Sequence, residues 1–102
     1  NGPNGPVGNF SLIEVAELQL SYILELVALL RSGRCRALSA SVEATDRFEE
    51  ERVAAAAGTV WATGCHSWYL DDRGIPMAWP WTFQRFREAM AEPNLTDFDL
   101  VV

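Results

Sequence analysis

The feature that most constrains this chain is a concentration of large aromatic side chains in its second half. Four tryptophans fall between Trp61 and Trp81, on either side of the charged segment 71–74. Tryptophan combines a broad apolar ring with one polar N–H group, which suits a surface that holds a planar ligand or seals against another domain. The sequence therefore predicts an aromatic binding or packing surface in this region.

The first half predicts a long helix. Ser11 and Glu14 form the pattern of a capping box, in which the serine accepts a free backbone N–H and the glutamate reaches back. Apolar residues then recur at helical spacing until Ser32 and Gly33 supply a stop signal. A narrow polar stripe and otherwise apolar sides predict a core helix covered on more than one side, and the glutamates along it argue against a membrane span.

Shorter elements are expected after this helix. Residues 36–41 indicate a short strand or an extended link. A second helix is predicted from Val42 to about Gly58, with a solvated face formed by Glu49, Glu50, Glu51 and Arg52. A third, short helix is predicted around Phe83 to Met90, ending before Pro93, and residues 97–102 are extended at their end.

A β-hairpin is predicted in the aromatic region. Residues 68–70 and 75–79 flank Asp71-Asp72-Arg73-Gly74, in which the glycine suits a left-handed position. The expected fold class is α+β and mainly helical, with a long core helix, a second helix, a short hairpin and a third short helix.

Composition excludes several functions. The net charge is −6, with eight arginines and no lysine, and no basic cluster indicates nucleic-acid binding. One histidine and two cysteines without ligand spacing predict no metal site. Cys35 and Cys65 are expected to be free thiols in a reducing cytoplasm. Cys65 and His66 are adjacent, so on a strand they would point to opposite faces, and no catalytic residue is predicted.

Two motifs carry a family resemblance. The first is a glycine–proline turn at Gly2–Asn9, called the N-terminal turn below, followed by a helix with Glu17 fifteen residues after Gly2. The second is G-C-x-S-W-Y-L-D-x-x-G at positions 64–74, followed by W-P. In this order, they resemble the C-terminal region of flavin-dependent monooxygenases of the Baeyer–Villiger and related N-hydroxylating type, from Gly2 to Phe98.

This resemblance implies a domain arrangement. Residues 1–102 would be a single C-terminal fragment, with a flavin-edge turn at 1–11, a helical part at 12–58, and an aromatic hairpin with a C-terminal helix at 59–102. In the intact parent, the fragment would be part of the α/β FAD-binding domain.

The resemblance also implies cofactor contacts. In these enzymes, the start of the helix after the turn faces the pyrimidine end of the flavin, and the S-W block lies near the nicotinamide cofactor and the substrate. The implied cofactor-binding residues are Gly2, Pro3, Asn4, Gly5, Pro6, Leu12 and Trp68. Gly5 replaces the usual serine of the turn, so a hydroxyl contact is lost. Residues 70–74 also replace the G-A-N-x-P-G-K sequence usual in the Baeyer–Villiger branch, which places this chain nearer other flavin monooxygenases.

The implied parent uses FAD and NADP, in its reduced form NADPH, to insert one oxygen atom from O2 into a ketone or a heteroatom. Its expected partners are a small-molecule substrate and upstream dinucleotide-binding domains. Both dinucleotide-binding glycine motifs are absent from this chain, so the fragment alone is expected to be inactive, to bind no FAD and to self-associate through exposed apolar surface. The alternative is a non-catalytic helical module for protein interaction or oligomerisation, with the aromatic residues packed in an interface.

Overall fold

The computed structural model describes residues 4–6, 10–58 and 70–102. Within these ranges the chain forms helices α1 (Leu12–Arg31), α2 (Val42–Ala56) and α3 (Phe83–Ala91) and strands β1 (Ala37–Ala40) and β2 (Phe98–Val101). A 3₁₀ turn, Leu95–Asp97, leads into β2. The α+β, mainly helical class predicted from the sequence is confirmed.

Helix α1 has the predicted ends. The Ser11 hydroxyl accepts the backbone N–H of Glu14 at 3.3 Å. After Arg31, the chain leaves the helix through Gly33, which has a φ of 77°. Only the serine half of the predicted capping box is confirmed, because the Glu14 carboxylate instead accepts a hydrogen bond from Arg87 of α3 at 2.5 Å. This ion pair joins the first turn of α1 to α3.

The prediction that α1 is a core helix covered on more than one side is wrong for this chain. Val15 is its one buried residue, while Ile13 is 73% exposed and Leu24 is 56% exposed. The helix packs against α3, whose nine residues rise only about 13 Å along the axis. A twenty-residue helix is too long to be covered by so short a partner.

Helix α2 begins at the predicted residue and ends two residues before Gly58. The Ser41 hydroxyl caps it by accepting the backbone N–H of Ala44 at 3.1 Å. Glu50 and Glu51 are exposed as predicted. The placement of Arg52 on the solvated face is wrong, because its side chain is buried and the residue is 2% exposed.

The two strands form an antiparallel pair that joins distant parts of the chain. Ala37 lies opposite Val101 and Ala40 lies opposite Phe98. Flanking hydrogen bonds from Arg36 N–H to Val101 and from Ser41 N–H to Asp97 extend the pairing at both ends. The sequence predicts extended backbone in both segments but not that they pair with each other.

The turn of the predicted hairpin is confirmed. Asp71 N–H donates to the Ile75 carbonyl at 2.8 Å, and Gly74 has a φ of 74°. One β-bridge joins Leu70 to Pro76. Trp68 and Tyr69 of the first predicted strand lie outside the described residues, so that part of the hairpin stays a prediction. None of the helices in the described ranges is long and apolar enough to cross a membrane.

Candidate functional site

The described part of the N-terminal turn is attached to the loop between the hairpin turn and α3. Asn4 N–H donates to the Met77 carbonyl at 2.8 Å, and Trp79 N–H donates to the Gly5 carbonyl at 3.0 Å. Asn4 has a φ of 70°, a left-handed conformation that asparagine tolerates better than most residues. Gly5 and Pro6 are buried. The structure thus brings the two regions that carry the family resemblance into direct contact.

The start of α1 is held by a neighbouring contact. The Phe10 ring stacks on Phe83 of α3 with 5.1 Å between ring centroids. The first backbone N–H groups of any α-helix lack partners within the helix and carry partial positive charge. At this end Leu12 is 55% exposed. Leu12 is thus exposed at a helix start whose partial positive charge suits an anionic group.

An aromatic cluster supports both features. Trp79 contacts Trp81 edge to face at 4.7 Å between ring centroids and Phe86 at 5.4 Å. Phe86 is 2% exposed and stacks on Phe83, which in turn stacks on Phe10. The cluster consists of Phe10, Phe48, Trp79, Trp81, Phe83 and Phe86. It connects Phe10, which precedes the cap of α1, with α2, α3 and the loop before α3 through one continuous set of ring contacts.

Polar contacts fix the loop 75–82 between the hairpin turn and α3, called the tryptophan-rich loop below, within this cluster. The indole N–H of Trp79 donates to the Thr82 carbonyl at 3.0 Å. The Arg85 guanidinium lies over the Trp81 ring, 4.4 Å from its centroid. Trp79 and Trp81 are each half-buried. Both are held as packing residues in this chain, each with a specific polar neighbour.

A charged network joins α2 to the hairpin turn. Arg52 donates to both carboxylate oxygens of Glu49, at 3.0 and 2.7 Å, and to the Pro76 carbonyl at 2.5 Å. Arg73 bridges Glu49 and Asp71 at 3.2 and 2.8 Å. Hydrogen bonds from Arg52 and then Arg73 lower the pKa of the Glu49 carboxyl. The backbone N–H of Ile75, followed by the Arg73 side chain, lowers the pKa of Asp71.

A separate, open cavity of about 270 Å³ lies between α1, α2 and the strand pair. Its walls are mainly apolar, with Tyr22, Thr45 and Asp97 as polar groups. Burial, followed by the nearby Asp97 carboxylate, raises the pKa of the Tyr22 hydroxyl. The Arg47 guanidinium pairs with Asp97 at 2.7 Å, so the carboxylate already has a counter-ion. None of the described residues of the N-terminal turn lines this cavity.

The predicted cofactor residues have different outcomes. Asn4, Gly5 and Pro6 lie together in the attached turn, and Leu12 is exposed at the nearby helix start. Gly2, Pro3 and Trp68 lie outside the described residues. Whether any of these residues contacts FAD or NADP stays a prediction.

Other predictions concern residues to which the sequence assigns no catalytic or metal-binding role. Asp71 belongs to the turn, as expected, because its carboxylate accepts the N–H groups of Arg73 and Ile75. Cys35 is a buried free thiol, whereas Cys65 and His66 lie outside the described ranges. In the part of the chain that is described, no group of three or more histidine, cysteine or acidic residues could hold a metal ion.

The interpretation of the sequence missed Arg52 and the contact between Phe10 and Phe83. An arginine next to three glutamates has the pattern of a solvated helix face, and nothing local indicates its burial. Phe10 precedes a helix cap, a position where an apolar side chain often packs on its own helix. Its partner on another helix is a tertiary contact, which the local pattern does not contain.

Comparison with known proteins finds extended sequence similarity. The chain is 38% identical over 99 residues to an uncharacterized monooxygenase of Mycobacterium tuberculosis, covering 97% of this chain and 20% of that protein. It is 34% identical over 101 residues to a "Probable FAD-binding monooxygenase" of Aspergillus luteorubrus, covering 97% of this chain and 21% of that protein. It is 33% identical over 103 residues to a Baeyer-Villiger monooxygenase of Streptomyces coelicolor, covering 98% of this chain and 20% of that protein.

The chain therefore spans about a fifth of the length of these relatives. No protein-family model matches it, and no solved structure matches it either.

Proposed function

Because nearly the whole chain is homologous to a segment of proteins named as FAD-binding and Baeyer-Villiger monooxygenases, we propose that it is a segment of a flavin-dependent monooxygenase. The complete enzyme would use FAD and NADPH to transfer one oxygen atom from O2 to a ketone or a heteroatom. When bound, the flavin supplies the redox chemistry, and the protein binds and orients it. The NADPH requirement, like the FAD-binding role of this segment, is part of the proposal.

The observation that best supports a cofactor role is the attachment of the N-terminal turn before the start of α1, where Leu12 is exposed. Two backbone hydrogen bonds hold Asn4 and Gly5 against the tryptophan-rich loop. The first-turn N–H groups of α1 would stabilise negative charge on the pyrimidine edge of a bound flavin. In this proposal, these residues would bind one edge of the cofactor.

The charges around this helix start are compatible with an anionic edge. Glu14 lies in the first turn of α1, where an uncompensated carboxylate would repel negative charge on a ligand. Arg87 pairs with it, so the local charge is balanced. The Arg87 guanidinium also lies over the Phe83 ring, 5.4 Å from its centroid, which places the cation on the same aromatic cluster that holds Phe10.

The rest of the flavin site would come from outside this chain. Neither dinucleotide-binding glycine motif occurs in the sequence, and such motifs bind the pyrophosphate of the cofactor. We expect the purified chain to be colourless, with no flavin absorbance in the visible range and no activity. Stoichiometric flavin in such a preparation would contradict the division of the site proposed for this segment.

Trp68 provides a test in the complete enzyme. By the family resemblance it lies near the nicotinamide cofactor, where its ring and N–H group would contact NADPH. We expect Trp68→Ala to slow the NADPH-dependent reduction by about ten- to a hundredfold, corresponding to the loss of about 1–3 kcal/mol. FAD content should stay near that of the wild type, because the flavin edge is assigned to the N-terminal turn.

A matched variant, Trp81→Ala, distinguishes cofactor contact from packing. Trp81 contacts Trp79 and Phe48, so its loss should lower the unfolding temperature without a selective effect on the NADPH step. If Trp68→Ala instead unfolds the protein and the folded fraction reduces flavin at the normal rate, Trp68 is a packing residue.

A non-catalytic interaction module is the second candidate. The exposed apolar side chains of α1 favour it, since several large ones are more than half exposed: Leu12, Ile13, Leu20, Ile23 and Leu24. Measuring flavin content of the complete protein separates the two candidates. A complete protein that binds no FAD under saturating conditions would favour the module.

A further inference from the structure

We propose that Arg52 is a positioning residue for the N-terminal turn, although it lies on α2 and is distant from that turn in sequence. The proposal rests on the proposed function, in which this turn lies at the flavin edge. Arg52 would act through the backbone of the hairpin turn and the tryptophan-rich loop, without touching the cofactor.

The burial of Arg52 is the first observation. Arginine is rarely buried unless its charge is paired and its N–H groups are hydrogen-bonded. Arg52 is 2% exposed, and its guanidinium pairs with Glu49 on the same helix. Pairing with Glu49 alone could take place in solvent, so the inward orientation of Arg52 needs a further partner.

That partner is the backbone carbonyl of Pro76. The Nη1 atom of Arg52 donates to this oxygen at 2.5 Å in a buried hydrogen bond. Proline has no backbone N–H, so its carbonyl is the one strong hydrogen-bonding group of its main chain. The bond therefore fixes the loop backbone itself to α2, whatever side chains the loop carries.

The residues after Pro76 hold the N-terminal turn. The Met77 carbonyl accepts the N–H of Asn4, and the N–H of Trp79 donates to the Gly5 carbonyl. Arg52, the Pro76 backbone and the turn are thus connected by consecutive short contacts. A shift of the Pro76 carbonyl would displace both anchoring hydrogen bonds, since they lie one and three residues further along the chain.

A second contact steadies the opposite side of the hairpin turn. Arg73 donates to the same Glu49 oxygen that binds Arg52, and it also pairs with Asp71. The Arg73 side chain is 58% exposed, so its ion pairs contribute less than the buried bond of Arg52. The specific element is the planar guanidinium of Arg52, which binds a carboxylate through two donors and a carbonyl through a third. A lysine ammonium cannot reproduce this geometry.

The experiment uses the complete flavoprotein and compares Arg52→Met, Arg52→Lys and a control, Arg47→Met. Arg47 lies on the same helix and pairs with Asp97 in a more exposed bridge. Hydrogen exchange is measured at the amides of Asn4 and Trp79, and the FAD dissociation constant is measured separately. The exchange rates test whether Arg52 holds the N-terminal turn in place. The dissociation constant tests separately whether that turn binds FAD.

We expect Arg52→Met to speed exchange at both amides by about ten- to a hundredfold, as expected for loss of a charge-assisted buried hydrogen bond. FAD affinity should fall by about tenfold if each anchoring contact contributes in the usual range. Arg52→Lys should restore the thermal stability in part but not the protection of Asn4 and Trp79. Arg47→Met should change neither amide.

Unchanged exchange at Asn4 and Trp79 in folded Arg52→Met, or full restoration of their protection by Arg52→Lys, would overturn the proposal. If Arg52→Met does not fold, Arg52→Lys alone decides, because a purely structural cation predicts normal protection. Faster exchange with unchanged FAD affinity would confirm that Arg52 holds the N-terminal turn in place. It would also show that the turn is not at the flavin. That result would make the failure of the proposed function distinguishable from failure of the coupling.

Discussion

Helices α1 and α2 differ in composition, and in neither helix does composition predict which residues are buried. Helix α1 is mostly apolar, yet Val15 is its one buried residue. Helix α2 is rich in charged residues, yet it buries Arg52 and Ala56. The difference shows that burial follows the partners that a helix meets rather than its own hydropathy. Helix α2 lies against the hairpin turn and the aromatic cluster, whereas most of α1 extends beyond its short partner α3.

We expect the aromatic cluster to contribute more packing energy than the exposed side of α1, and a pair of truncations would test this. Phe86→Ala should destabilise the chain by about 3–5 kcal/mol, because it removes a buried ring. Leu24→Ala should cost only about 0.5 kcal/mol, since its side chain is more than half exposed and surface changes are usually small. Urea unfolding of both variants measures the difference, and equal losses would contradict it.

The exposed side of α1 is expected to cause self-association of the chain. Leu24→Glu should raise the dissociation constant by at least about tenfold, because burial of a leucine contributes about 1.5–3 kcal/mol. Ser21→Glu adds the same charge on the polar stripe of the same helix and should have little effect. Sedimentation velocity measures the association. A wild-type chain that stays monomeric at high concentration would contradict the expected self-association.

The smallest expected effect is a pH dependence from the charged network on α2. The folded-state pKa of Glu49 is lowered from 4.5, chiefly by its hydrogen bond from Arg52. Its ionised form therefore stabilises the folded state fully above about pH 4.5. This contribution is lost as the pH falls through the lowered folded-state pKa. Because the carboxylate is 42% exposed, the effect should be about 1 kcal/mol or less.

In Glu49→Gln, the loss of stability on acidification should be smaller than in the wild type. The measurement is the unfolding midpoint as a function of pH. Glu50→Gln removes the same charge from an exposed neighbour on the helix and serves as the control. Equal changes in the two variants would show that overall charge, rather than the contact with Arg52, determines the loss of stability at acidic pH.

The family resemblance and the structure both give information on the N-terminal turn. The family resemblance implies a cofactor role for Asn4, Gly5 and Pro6, and the sequence contains a tryptophan-rich segment far from them along the chain. The structure adds that Met77 and Trp79 hold the turn through backbone hydrogen bonds. Backbone groups are present at every position, so no residue type in the sequence reveals which of them pair.

The sequence by itself determined the features that depend on neighbouring residues. Ser11 and Ser41 cap α1 and α2 because a serine hydroxyl can accept an N–H three residues later. Gly74 ends the hairpin turn because glycine adopts a left-handed φ without steric cost. These local rules act within one or two turns of backbone, so they can be read directly from residue spacing.

The tertiary structure alone decided which side chains meet and which remain exposed. It paired β1 with β2, left α1 largely uncovered and buried Arg52 against the Pro76 carbonyl. These outcomes depend on the lengths and relative positions of elements distant in sequence. The buried charge of Arg52 needs paired and hydrogen-bonded partners, and here the Glu49 carboxylate and the Pro76 carbonyl converge on its guanidinium. That convergence is a property of the assembled fold.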